Sequence, residues 1–497
     1  MPPYNSINLH PSSHAPSSLK NATYDVICIG SGWAGRVIGA RLVKAGYTAV
    51  VVEEELVGGD CPFWACVPSK ALLRPLQALE EAKAVTGVKE RLNSANGVDV
   101  HAVFARRDAF TSKWNDADRL VPLVENSGAD LVRGVGRLTG VKKVSVQSGS
   151  GDKIELEAKL AVALCSGSVP MIPNIPGLAE VNPWGPRQAT SASEVPEHLI
   201  VLGAGAVGCE MSAVYASFGG KVSLVCIAPE VLPRMDPEAG KLVRGSLESQ
   251  GVKIHLSTEA TKVHREANGS VKVELSTGET IQGTEILVAA GRKARTNDMG
   301  LEQFGLKTDG TPLPVNESLL VDSVPGDWLY AAGDINGRAP LTHSCKYHGK
   351  IAANAIIAKA KGINVRPREY DNVSATADHT AVPQVVFTNP NAASVGLTRT
   401  RAQKEGRAFR EVTAPVVSVG AMLHAEGYKA GWAQWIVEEQ TNKLLGATLV
   451  GDDVAELIHP STVAIVGGLT LEQLTHAIPA FPTLSEVYLN LVDAAGA

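Results

Sequence analysis

The chain lacks most of what marks secreted, membrane-bound or nucleic-acid-binding proteins. It has no apolar run near the ~20 residues that span a bilayer, so no membrane partner is expected. Its seven cysteines (28, 61, 66, 165, 209, 226 and 345) are few for 497 residues and sit mostly in apolar, strand-like runs. That pattern excludes a secreted disulfide framework and points to a reducing compartment. There is no excess of positive charge: 46 Lys and Arg against 51 Asp and Glu give a net −5, which excludes a nucleic-acid partner on electrostatic grounds. Residues 1–22, rich in Pro, Ser, Asn and His, have neither an apolar signal core nor an Arg-rich transit pattern. They read as a disordered tail, and a cytoplasmic location follows by default. No metal site is expected.

What is present is an ordinary composition, 44% hydrophobic and 20% charged, on a chain too long for one core. Two segments repeat one design of strand, Gly-x-Gly-x-x-Gly turn, helix and strand. The first runs from Tyr24 to Glu53 with Gly30, Gly32 and Gly35, the second from His198 to Cys226 with Gly203, Gly205 and Gly208. In such a turn the first glycine makes the bend, the second lets backbone approach a pyrophosphate, and the third lets helix and strand pack closely. The helix N-terminus then faces the phosphates. Two copies in the correct context predict an α/β protein with two Rossmann-like dinucleotide-binding domains.

The next strand of such a unit ends in an acid that bonds the adenosine ribose. Glu53, 18 residues after Gly35, fits; the same offset from Gly208 gives Cys226. The following Ile227 is not the arginine that would welcome a ribose phosphate, although Lys221 and Arg234 are near. NADH and NADPH therefore both remain open. Val141 to Glu157 alternates like a small antiparallel meander. Cys165 to Pro170, with Gly167, reads as a crossing loop, and Gly291 ends a strand. Asp334, directly after a buried strand and Gly333, is either a ligand for a ribityl hydroxyl or an ordinary helix cap. From Val382 the pattern is that of a separate α+β domain.

Between the two fingerprints lies Cys61-Pro62-Phe63-Trp64-Ala65-Cys66-Val67-Pro68-Ser69-Lys70. Pro68 suits the first turn of a helix. Cys66 then precedes a helix N-terminus, where the dipole lowers a thiol pKa. The pair suggests a redox disulfide facing a flavin; inert buried thiols are the alternative.

Taken in this order, the motifs resemble the class I pyridine nucleotide-disulfide oxidoreductases, which include dihydrolipoamide dehydrogenase, glutathione reductase and mercuric reductase. The resemblance implies FAD and NAD(P) as cofactors, a small-molecule substrate, and a homodimer whose active site is shared between subunits. It implies a FAD domain over 23–185, an NAD(P) domain over 186–295, a central domain over 296–378 completing the FAD site, and an interface/dimerisation domain over 379–497. It also implies that Cys66 is the flavin-facing thiol, Cys61 the interchange thiol, and Lys70 a flavin neighbour paired with Glu210. Gly30, Gly32, Gly35, Glu53, Lys70, Gly167 and Asp334 would serve FAD; Gly203, Gly205, Gly208 and Gly291 would serve NAD(P).

Two departures matter. Phe63 and Trp64 replace small or polar residues between the cysteines, either as wall packing or as a stacking surface for an aromatic substrate. The family's C-terminal His-Pro-Thr-x-x-Glu reads Phe481-Pro482-Thr483-Leu484-Ser485-Glu486, so the residue that moves protons is lost and Glu486 has no histidine to orient. His476 is nearby in sequence. The end of the chain carries no cysteine pair of the kind that delivers mercury in mercuric reductase. Three readings follow: a disulfide oxidoreductase, a flavin enzyme acting on a quinone or aromatic metabolite, or a flavin-holding sensor.

Overall fold

The computed structural model describes residues 3–92, 97–426 and 431–496. Strand Thr23–Ile29 is buried almost throughout, as a strand covered on both faces must be. It pairs in parallel with Ala49–Glu53 on one side and Lys153–Leu164 on the other. Asp130–Arg133 extends the sheet beyond Ala49–Glu53, and Leu329–Ala331 pairs in parallel with Lys153–Leu164. Val135–Gly140 and Lys143–Gln147 form the expected antiparallel meander with Lys153–Leu164.

The second unit is a four-stranded parallel sheet of Lys253–His255, Lys221–Val225, His198–Leu202 and Glu285–Val288. Short strands Ser168–Pro170 and Arg292–Ala294 pair where the chain crosses between the units. The last unit is a five-stranded antiparallel sheet running from Gln384 to Gly451 in sequence, with helix Val454–Gly467 against it.

Two expectations need correction. Segment 296–378 has no separate sheet or core: its strand Leu329–Ala331 completes the first sheet, and Leu313, Val321 and Trp328 share that unit's core. Helix Thr342–Ala360 lies on helix Trp33–Lys44, close enough that a Cβ at Gly349 would meet the Ala34 carbonyl oxygen at 2.9 Å. Nor is the N-terminal segment a free tail. Tyr4 packs edge-on to Trp64 with ring centres 5.3 Å apart, Ile7 and Leu9 join the same cluster, and the Arg133 N–H donates to the His14 carbonyl. A few apolar residues spaced among polar ones are enough to dock it.

The loop from Glu53 to the cysteines is held by a buried ion pair. Asp116 accepts from Arg133 at 2.9 Å and from the Val57 N–H at 2.6 Å, while Arg133 also donates to the Glu55 carbonyl at 2.9 Å. Both side chains are at most 5% exposed. Removing one partner of such a pair leaves an uncompensated buried charge. Asp116→Ala should therefore lower the first denaturant transition by about 3–5 kcal/mol. Glu155→Ala, which breaks the exposed Lys153–Glu155 pair, should cost under about 1 kcal/mol. Equal losses for the two variants would remove the pair from this role.

Candidate active site

A single cleft of about 1730 Å³ runs from Glu53, past the cysteines, to Cys226 and Ile227. The glycine turns line it as their motif requires. Gly30 has φ +105° and a Cβ there would lie 2.3 Å from the Cys165 carbonyl oxygen. A Cβ on Gly35 would lie 2.0 Å from the Gly30 carbonyl oxygen, whereas a Cβ on Gly32 would meet nothing within 4 Å. The second turn repeats this: 2.6 Å at Gly203, open space at Gly205, 1.9 Å at Gly208. The first and third glycines are thus fixed by protein contacts, and the middle one is left open for a ligand. Glu53 accepts from the Ser31 N–H and hydroxyl and from the Glu55 N–H, which aims its carboxylate beside the turn. Asp334, after Gly333 at φ +89°, accepts from the Ser168 hydroxyl at 2.6 Å. These residues fit a bound FAD: an open pyrophosphate cradle, an acid for the ribose and an acid for the ribityl chain.

Cys66 opens helix Cys66–Lys83, and its Sγ lies 3.1 Å from the Thr342 hydroxyl. The thiol of Cys61 donates to Cys66, and this bond, with Thr342 and the charge of Lys70, outweighs burial and holds Cys66 below the ordinary thiol range. The same hydrogen bond, reinforced by burial, pushes Cys61 well above it. Of the two thiols, Cys66 is therefore the one whose anion is favoured. Lys70 Nζ lies 2.8 Å from Glu210, whose other oxygen accepts from the Phe387 N–H at 2.9 Å. Glu210 is 4% exposed, so its charge depends on that pairing.

Further residues enter that motif reading did not reach. Asp60 bridges Arg187 at 2.9 Å and Arg292 at 2.6 Å. Burial opposes its charge, but the two guanidinium groups more than offset that and hold its carboxyl below the usual range. Behind Asp334, buried His348 accepts from the Gly333 N–H at 3.1 Å and faces Asp378 at 2.9 Å.

Residues 24–349 match the family model described as pyridine nucleotide-disulphide oxidoreductase, and residues 382–492 match its dimerisation domain. The chain belongs to this family. A dihydrolipoyl dehydrogenase of Rhizobium etli is 32% identical over 494 residues, covering 95% of this chain and 98% of that one. A mercuric reductase of Staphylococcus aureus is 30% identical over 488 residues, covering 96% and 83%. Among solved structures, the HOCl-induced flavoprotein disulfide reductase RclA from Escherichia coli superposes with a TM-score of 0.79 at 24% identity, covering 95% and 99%. The last likeness concerns the fold alone.

As a member of this oxidoreductase family the protein is an FAD-dependent, NAD(P)-linked enzyme. Phe63 is 1% exposed and Trp64 3% exposed; they pack with Leu56 and Trp114. Phe63 does not line the cleft; Trp64 does, but Trp114, Tyr4 and the Arg187 guanidinium already cover its ring, so both are wall. Phe481 is 71% exposed, and neither it nor Glu486 lines the cleft of its own chain. His476 is also exposed and outside the cleft. Lys221 begins the strand that ends at Val225, so it lies at the far end from Cys226; Arg234 does line the cleft. Gly167 and Gly291 line it as expected.

The thiol electrostatics give a direct test. With FAD bound, Cys61→Ser should show a long-wavelength thiolate-to-flavin absorbance, and Cys66→Ser should show none. Because the Cys66 pKa is lowered, the band is present above that pKa and lost on acidification. Its midpoint should fall below the ~8.5 of a free thiol. Lys70→Met should raise it. A band in Cys66→Ser instead would reverse the two thiols.

Proposed function

We propose that the enzyme reduces a small disulfide with electrons from NAD(P)H through the Cys61–Cys66 pair. The observation that carries this reading is the placement of the pair: Cys61 and Cys66 both line the cleft beside the glycine turn, with Cys66 at a helix start and 3.1 Å from the Thr342 hydroxyl. FAD, when bound, supplies the two-electron relay between the nicotinamide and the thiols. Lys70 and Glu210 keep a fixed charge pair beside that relay. On the substrate side, the Cys61 thiolate attacks one sulfur of the disulfide, forming a mixed disulfide and releasing the first thiol. The Cys66 thiolate then attacks Cys61 Sγ, releasing the second thiol and closing the enzyme disulfide. Two thiols leave for each disulfide consumed. The burial of Phe63 and Trp64 weighs against an aromatic substrate stacked on them, and so favours the disulfide reading over the quinone one.

In this reading a homodimer brings the partner's C-terminal segment over the cleft. Met422, Leu423, Val463, Val466, Ile478 and Phe481 are exposed apolar residues of the dimerisation domain, which suits such an assembly. The proton that Cys61 must lose has no histidine to receive it there. Flavin reduction by NAD(P)H should then be fast and turnover of neutral disulfides slow. Phe481→His should raise that turnover by up to about a hundredfold, measured as kcat/KM with lipoamide. Wild-type turnover already at ordinary enzyme rates, on the order of 10–10³ per second, would mean that another base serves.

The nucleotide preference should be modest. Cys226 is buried and Ile227 is 75% exposed, so neither charge-matches a ribose phosphate or bonds a ribose hydroxyl. Arg234 has no acidic partner among the described residues and leans the site toward NADPH. The preference for NADPH should be under about tenfold, roughly 1.4 kcal/mol, and Arg234→Ala should remove it. A preference of many hundredfold would place the discrimination in other residues.

A further inference from the structure

Trp33 is the first residue of the helix after the first glycine turn; it lines the cleft with Cys61, and its indole lies close enough to favour that thiol's anion. Two cations lie against its ring. The Arg36 guanidinium carbon is 4.5 Å from the ring centre and Lys346 Nζ is 3.8 Å from it. They come from different helices, Trp33–Lys44 and Thr342–Ala360, brought together by the packing at Gly349. Around the cleft the other cations near the thiols are matched to acids: Lys70 to Glu210, Arg187 and Arg292 to Asp60, Arg295 to Glu54. Among the described residues, Arg36 and Lys346 have no ion pair, and Arg36 Nε is buried without a hydrogen-bond partner.

Of the two acidic groups that act on Arg36, Glu53 is already committed to Ser31 and Glu55, and Cys61 is a thiol that holds its proton. Nor are these cations cofactor ligands. Trp33 and Cys61 line the cofactor cleft, but Arg36 and Lys346 do not. The two charges therefore lie outside the lining of the cleft that the glycine turns, Glu53 and Asp334 share. Holding two like charges against one ring is unfavourable unless an anion joins them. The ring itself offsets part of that cost by cation–π attraction.

We propose that Trp33, Arg36 and Lys346 form a subsite for an anionic group of the substrate beside Cys61. The disulfide reduced here then carries a carboxylate or comparable anion within a side chain's reach of its sulfur. This rests on the disulfide-reductase reading. The subsite also aligns the sulfur with Cys61, because the same indole contacts both the thiol and the cations.

The test uses the NADPH-reduced holoenzyme and two alkylating agents of one shape, iodoacetate and iodoacetamide. Each converts Cys61 to a thioether as the thiolate displaces iodide, and labelling is read at Cys61 by mass spectrometry. The ratio of the two rates cancels any change in the thiol's own reactivity. Expected is a ratio at least about tenfold above that of a free small thiol in the same buffer. It should fall several-fold in Arg36→Met and in Lys346→Met, and be retained in Lys346→Arg. Should a Met variant lose FAD, Lys346→Gln and Arg36→Gln give the same reading. A ratio equal to the free thiol's, or unmoved by every substitution, overturns the subsite. Steady-state turnover of 3,3′-dithiodipropionate against neutral 2-hydroxyethyl disulfide separates the two claims. A lower KM for the former supports the subsite. If both disulfides turn over alike and the alkylation ratio is flat, the subsite fails and the disulfide reading stands. If neither turns over but the ratio behaves as expected, the disulfide reading fails and the anion subsite stands.

Discussion

The close approach of two glycines carries much of this structure. Because Gly35 has no side chain, its Cα can sit against the Gly30 carbonyl, where a Cβ would come within 2.0 Å of the oxygen. That contact starts the helix immediately at the end of the strand and points its N-terminus into the cleft. Gly203 and Gly208 repeat it with 1.9 Å. Everything catalytic is then placed by reference to these two helix starts. Ser31, inside the first turn, bonds Glu53, and Gly58 N–H bonds the Ser31 hydroxyl, so the loop leading to Cys61 is indexed to the same turn. Glu210 follows Gly208 on the second helix and meets Lys70 across the domain boundary.

Charge placement around the thiols follows one rule: each buried or half-buried ion is answered by a counter-ion from a distant part of the chain. Asp60 collects Arg187 and Arg292, and this ties the cysteine loop to the strands that cross between domains. Behind the Gly333–Asp334 corner, His348 accepts from the Gly333 N–H and hydrogen-bonds Asp378 through its other ring nitrogen. Such pairs are weak contributors to net stability, since desolvation consumes most of their attraction. Their value is in fixing which conformation is lowest. Arg36 and Lys346 stand out as an exception to that rule beside Cys61.

The glycine turns, Glu53, the cysteine pair and the lost C-terminal histidine were legible because each is a local pattern. Gly-x-Gly-x-x-Gly constrains its own backbone, and an acid at the end of the next strand is a fixed distance along it. Thr342 and Arg292 were not legible, because their partners Cys66 and Asp60 lie 276 and 232 residues away. No single-sequence pattern carries that pairing. The N-terminal segment was misread for a different reason. Its composition is polar on average, but docking needs only Tyr4, Ile7 and Leu9 to find Trp64 and its neighbours. Phe63 and Trp64 were ambiguous because ring size alone does not say whether a ring is covered.

The thiol pair divides the chemistry into two halves of unequal completeness. Cys66 is the thiol whose anion is favoured, with a thiol, a hydroxyl and a lysine acting toward it. Cys61 is pushed the other way; on the proposed reading it faces the substrate, and position 481, where the family resemblance implies a proton-carrying histidine, is a phenylalanine. Trp33 and Thr342 donate toward Cys61, and Arg36 adds positive charge, so the Cys61 thiolate is stabilised once it forms. Stabilising an anion and accepting its proton are different services. The first lowers the energy of the ionised state; the second moves the proton within the step itself and returns it to the leaving thiol. An anionic substrate held by the cations would gain from proximity, which needs no proton transfer. On the proposed reading the chain keeps the binding half of a general base's contribution while lacking the proton-transfer half, and its substrates should be those for which binding is enough.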